Sequence, residues 1–118
     1  MLNLNHKNLE VWKLSIDLIK SLYTLTNNFP KNEMFGITNQ IRRAAISISS
    51  NLSEGSSRKS PQERKRFYEI SRSSLVEIDT QLIISYELNY ITLNEIENLN
   101  EPLNKLFAKL SNLISKTV

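Results

Sequence analysis

Between positions 42 and 72 the chain carries eight basic residues, Arg42, Arg43, Arg58, Lys59, Arg64, Lys65, Arg66 and Arg72, against three carboxylates, Glu54, Glu63 and Glu69. The whole chain has a net charge of only +3, so the positive charge is concentrated in its middle. Arg64, Lys65 and Arg66 fall in the first two turns of a helix that opens at Pro61. There the helix macrodipole disfavours cations by about 0.3–1 kcal/mol each. Arg58 and Lys59 lie just before that turn, and Lys65 and Arg72 are seven apart, on one face. Cations placed against the local electrostatics point to a phosphate-bearing or acidic partner met by Arg58, Lys59, Arg64, Lys65 and Arg72. The competing reading is a solvated surface on which Arg66 pairs with Glu63 or Glu69. No aromatic platform is interleaved with these charges, since Phe67 is expected in the core, so nucleic-acid binding would be led by the phosphate backbone.

Reaction chemistry finds little support. The single histidine, His6, precedes the first helix, is expected to be solvent-exposed and has no partner pattern of a metal site or a triad. No Glu-x-x-His motif or glycine-rich phosphate loop occurs. Glu77 and Asp79 are two apart and point to different helix faces. Ser56-Ser57-Arg58-Lys59 matches a bare Ser-x-x-Lys string without its companion motifs. Cysteine is absent, which removes disulfides, thiolate zinc sites and cysteine nucleophiles. We expect no catalytic residue, metal, cofactor or small-molecule substrate. The N-terminal residues lack the apolar core of a signal peptide and no apolar run is long enough for a membrane span, so a cytoplasmic protein is expected.

A second constellation is Gln40, Arg43, Ser47, Asn51 and Glu54, spaced three or four apart and therefore stacked along one helical line. Beside it Ile37, Ile41, Ala44, Ala45, Ile48 and Leu52 form an apolar stripe. The polar line is built from small and hydrogen-bonding residues rather than mobile Lys and Glu. Either Arg43, Asn51 and Glu54 satisfy one another across a bundle or subunit interface, or they touch a ligand.

These residues need helices to position them. Two glycines and three prolines cannot punctuate an all-β chain of 118 residues, and the apolar spacing is helical throughout. The expectation is an all-α, antiparallel up-down four-helix bundle in one domain, with helices at about 8–26, 33–54, 61–89 and 93–116. In the first, Leu9, Trp12, Ile16, Ile19 and Tyr23 form one stripe and Val11, Leu14, Leu18, Leu22 and Leu25 another. Gly55 is placed to stop the second helix in a left-handed conformation. Ser60, Pro61 and Glu63 predict a capped start and capping box for the third, and Thr92 with Glu95 for the fourth. Ile96, Leu99, Leu103, Leu106, Leu110 and Leu113 follow as a heptad seam, with Pro102 expected to kink or split that helix. Apolar residues lie nearly all round the third helix, including Ile70, Val76, Ile83, Ile84 and Leu88, and the first shows the same excess. Self-association through these two helices is the inference.

The segments LEVWKLSIDL, FPKNEMFGITNQIRRAAISISSNLSEGSSR and FYEISRSSLVEIDTQL cover much of the chain. They resemble the four-helix-bundle family named for proteins encoded in intervening sequences of bacterial 23S rRNA genes. The resemblance implies a ring-shaped homopentamer and a kinship with the accessory variability protein of diversity-generating retroelements, which works with a reverse transcriptase and RNA through a basic surface. Carried residue by residue, the motif positions are Gln40, Arg42, Arg43, Asn51, Glu54, Gly55 and Arg58. Two departures stand out: Ser49 occupies a position where the family usually has proline, and Ser53 one where it usually has alanine. The family has no agreed biochemical activity, and nothing in these residues supports a ribosomal-protein role.

Together these readings predict a non-enzymatic, oligomeric, basic bundle that binds RNA or a ribonucleoprotein partner such as a reverse transcriptase-like protein. The alternatives are a protein-interaction adaptor with an acidic partner and a self-assembling scaffold without nucleic acid.

Overall fold

A computed structural model describes residues 1–118. Four α-helices follow the apolar periodicity: α1 (Glu10–Thr26), α2 (Ile37–Ser56), α3 (Pro61–Glu87) and α4 (Leu93–Lys116), with single 3-10 turns at Asn5–Asn8 and Lys31–Glu33 and no strands. Each helix packs on its two neighbours around a square, α1 on α2 and α4, α3 on α2 and α4, while the backbones of the diagonal pairs stay further apart. That is an antiparallel up-down bundle, 44 Å long. Its centre is a column of fully buried side chains: Leu22, Ile41, Ile48, Leu52, Ile78, Leu82, Leu106 and Leu110.

Local signals set several boundaries. At the start of α3 the Ser60 hydroxyl accepts from the Glu63 N–H at 3.4 Å, with Pro61 as the first helical residue. Only this half of the expected capping box forms. At α4 both halves form, Glu95 N–H to the Thr92 hydroxyl at 3.1 Å and Thr92 N–H to the Glu95 carboxylate at 2.9 Å. The α3 end is closed by Asn89 at φ 64°. The Asn89 N–H bonds to Tyr86 O and the Tyr90 N–H to Ser85 O, both at 2.9 Å, which is the Schellman pattern with Asn in place of Gly.

Elsewhere the expectations need correction. α1 begins at Glu10 and buries Val11, Leu18 and Leu22, with Ser15 between them, whereas Trp12 and Ile19 are half-buried at its edge. No large apolar residue of α1 is exposed, because α2 and α4 cover one side and the 3-10 turn brings His6 edge-on against Trp12, ring centres 5.4 Å apart. His6 is thus buried, not the solvent-exposed residue its position implied. α2 starts at Ile37, near the late end of the stretch from Asn32 to Thr38 in which its start is expected, because Lys31–Glu33 form a separate turn. α4 runs through Pro102 without splitting; the bundle holds the helix in place at the cost of one backbone hydrogen bond. Phe67 is only half-buried, and its neighbour Tyr68 takes the core position.

The most extensive contact joins α2 and α3, and small residues make it. Ser71 donates to Ile48 O at 2.9 Å, the Ser47 and Ser74 hydroxyls lie 2.9 Å apart, and the Ser56 hydroxyl meets Tyr68 OH at 3.1 Å. Gly55 lies inside α2, not beyond its end, and is buried with negative φ. A Cβ there would sit 2.9 Å from both Phe67 Cβ and Tyr68 Cε1, so glycine is required for close approach and not for a left-handed turn. Ser49 leaves α2 continuous from Ile37 to Ser56; its hydroxyl lies 2.7 Å from that of Ser15, a buried link between α1 and α2. Ser53 bonds back to Ser49 O at 3.0 Å.

At the end of the bundle that carries the α1–α2 and α3–α4 connections, Tyr90 OH donates to the Glu33 carboxylate at 2.7 Å and packs against Phe29, ring centres 5.5 Å apart. The bond to Glu33, then burial, then repulsion from that carboxylate raise the Tyr90 hydroxyl above its ordinary pKa of 10.0. Below that value the phenol keeps its proton folded and unfolded, so the contribution to stability is fully present. Above it the unfolded chain releases the proton first, and stability falls as pH climbs towards the folded pKa. Urea denaturation near neutral pH and above pH 10.0 should therefore show a larger alkaline loss in the wild type than in Tyr90→Phe. Equal losses would show that the bond does not couple to folding.

Candidate nucleic-acid interface

The turn from Ser57 to Ser60 and the opening turns of α3 place Arg58, Lys59, Arg64 and Lys65 at one end of the bundle, whereas Arg72 lies two turns beyond Lys65 along α3. The Arg64 guanidinium reaches back and donates to the carbonyls of Arg58 at 3.1 Å and Lys59 at 2.7 Å. It therefore ties the connection to the helix that follows. Arg58 donates to Glu54 at 3.1 Å and lies over the Phe67 ring at 5.0 Å. Arg72 donates to the Ser111 hydroxyl at 3.1 Å and lies 5.9 Å from the Phe107 ring centre, which fastens α3 to α4. Lys65 borders Thr117 and Val118, the two residues that follow α4.

The chain has two ion pairs, Arg58–Glu54 and Lys109–Glu10. The pairing of Arg66 with Glu63 or Glu69 does not form. Hydrogen bonds from Arg64 to carbonyls and from Arg72 to a hydroxyl orient these side chains without cancelling their charge. Of the five candidate residues only Arg58 is matched by a carboxylate. Lys59 and Lys65 carry no side-chain hydrogen bond or ion pair; Lys59 is exposed on the turn and Lys65 is half-buried on the first turns of α3. The surface is positive, anchored by arginines and tipped by free lysines, and it lacks a stacking platform because Tyr68 is buried and Arg58 covers Phe67.

The motif residues of α2 divide into separate roles. Arg42 turns inward to α1: it donates to Thr26 Oγ1 at 2.9 Å and Asn27 Oδ1 at 3.0 Å, with its guanidinium 4.4 Å from the Tyr23 ring centre. It places a cation at the C-terminal end of α1, where the macrodipole favours one. Asn51 donates to Ser47 O at 2.8 Å and Ser47 Oγ at 3.0 Å. Glu54 pairs with Arg58, while Gln40 and Arg43 are exposed. The polar line is therefore real as a line, but Arg43, Asn51 and Glu54 do not satisfy one another within the subunit. Gly55 belongs to the α2–α3 packing described above. No group of three or more His, Asp or Glu residues converges as a metal site.

The stacking of Arg58 on Phe67 and the serine seam of α3 were not anticipated. Ser71, Ser74 and Ser85 recur on the buried face at helical spacing, a signal available in the sequence.

The family model of the 23S rRNA-intervening sequence protein matches residues 7–112. A similar solved structure is that of a protein of unknown function from the S23 ribosomal protein family of Bacteroides thetaiotaomicron VPI-5482. It shares 23% identity over 88% of this chain and 97% of that chain, with a TM-score of 0.76. No curated protein matches the chain. No helix is long and apolar enough to cross a membrane. With the four-helix fold in common and nearly its whole length matched, the chain belongs to the 23S rRNA-intervening sequence protein family.

Proposed function

We propose that this protein is a non-enzymatic, self-assembling bundle of the cytoplasm that binds RNA, alone or within a ribonucleoprotein, through phosphate contacts at the α2–α3 turn. The carrying observation is that Lys59 and Lys65 stand without carboxylate partners beside Arg64, which is bonded only to neutral carbonyls. They lie near the N-terminal end of α3, whose dipole adds to the positive field. Repetition of this surface in an oligomer, a pentamer by family resemblance, would add weak contacts by avidity.

Fluorescence anisotropy of a structured RNA at low and moderate salt tests this reading. Binding should weaken with a log–log slope of about −0.7 to −0.9 per phosphate contacted. The double reversal Lys59→Glu/Lys65→Glu should lower affinity by ~10-fold or more and make the slope shallower by about two. These are better targets than Arg64 or Arg72, whose loss would also disturb the turn or the α3–α4 contact. Absence of binding at low salt, or an unchanged affinity in the folded double variant, would overturn the assignment.

A second reading, a protein-interaction adaptor, is favoured by the exposed apolar residues Ile83 and Ile84 on α3. Nuclease treatment of a tagged pull-down separates the two: partners released by nuclease, a reverse transcriptase-like protein among them, support RNA, and partners retained support the adaptor.

A further inference from the structure

Phe35 is 93% exposed, yet the segment that carries it is well ordered by hydrogen bonds. The Glu33 N–H bonds to Pro30 O at 2.9 Å, the Met34 N–H to Lys31 O at 3.2 Å and the Gly36 N–H to Glu33 O at 2.9 Å. The Glu33 side chain is in turn held by Tyr90 OH. A large aromatic side chain presented on a braced turn loses little conformational entropy on docking, and single aromatic anchors of this kind dominate interfaces. Lys31 lies at the base of the same turn and has no carboxylate partner.

The same molecule carries a hollow of matching character. Between α3 and α4 lies a groove of about 230 Å³ floored by Leu75 and Leu103, walled by Val76 and Phe107, and bordered by Asp79 and Asn104. Val76 is 52% and Phe107 42% exposed. An apolar cavity of about 150 Å³ is enough to hold a benzene molecule, so the groove has room for one phenyl ring. Asp79 is exposed at its rim and forms no ion pair, which complements the free Lys31 beside Phe35.

We infer that Phe35 of one copy seats in the α3–α4 groove of a second copy, with Lys31 facing Asp79. The occupant is another copy of this chain because knob, hole and complementary charges all occur on one molecule. Knob and groove are different surfaces, so the contact is head-to-tail: each subunit gives one knob and accepts one, and a single pair leaves one of each unused. This replaces the expectation of self-association through α1 with a contact between the Lys31–Gly36 turn and α3–α4. It rests on the self-assembling part of the proposed function and is independent of RNA binding, since assembly is read with no RNA present.

Light scattering of the wild type, Phe35→Glu and Val76→Glu tests it, with circular dichroism to establish that each variant is helical. The wild type should exceed the 13.7 kDa of one chain, and each variant should fall to that mass. Mixing the two variants should produce a particle of two subunits and no larger, because one supplies an intact groove and the other an intact knob. A monomeric wild type, a variant that keeps the wild-type mass, or a mixture that stays monomeric would each overturn the inference. In the charge pair, Lys31→Glu and Asp79→Lys should each shift the equilibrium towards monomer and together restore assembly. Failure of the double variant to recover would overturn the pairing of these two residues.

Discussion

Gly55→Val is expected to destabilise the bundle by about 3 kcal/mol, near the upper end of ordinary overpacking. The added Cβ would meet Phe67 Cβ and Tyr68 Cε1 at 2.9 Å and the Arg64 carbonyl at 3.1 Å. Two of these three atoms are a Cβ and a backbone oxygen, which cannot swing aside, and Tyr68 is buried with its hydroxyl engaged by Ser56. α2 and α3 would have to separate along their most extensive contact. Gly55→Ala is the finer test. In an open helix it would gain about 1 kcal/mol from reduced backbone entropy; here the clash, of about 1–3 kcal/mol, should reverse the sign and leave a net loss of ~1 kcal/mol. Urea denaturation decides. If the alanine variant equals or exceeds the wild type, the close approach at Gly55 is not a constraint.

Leu106→Ala should cost about 2–5 kcal/mol, the range for deleting a buried leucine and leaving a cavity. Leu106 is almost completely buried and sits midway along α4, in the column with Leu82 and Leu110. Against a typical total stability of about 5–15 kcal/mol, that loss lowers the denaturation midpoint strongly. Leu93→Ala, at an exposed position in the first turn of the same helix, should change stability by no more than about 0.5 kcal/mol. A similar loss at both positions would show that helix propensity rather than core packing carries α4.

The basic surface was legible as composition, because charge density along a chain needs no fold to be counted. Its internal division was not. Arg58, Lys59, Arg64, Lys65 and Arg72 look alike in a sequence. The fold joins Arg64 to the carbonyls of the turn, Arg72 to Ser111 across thirty-nine positions and Arg58 to Glu54, and leaves Lys59 and Lys65 free. Arg42 and Arg43 are adjacent, yet one closes the end of α1 and the other faces solvent.

By itself, the sequence determined that the chain is helical, where α3 and α4 begin, and that Leu99, Leu106 and Leu110 line a seam. Caps and periodicity are relations among residues three or four apart, and such relations form before any helix meets another. Only the tertiary structure decided which of the two apolar stripes of α1 faces the core, that Tyr68 rather than Phe67 is buried, that His6 packs under Trp12 and that Gly55 is a contact point rather than a stop. Periodicity defines a helix face but leaves its rotation about the axis open by roughly one residue, about 100°. That rotation is chosen by the shape of the neighbouring helix, to which residues distant in the chain contribute.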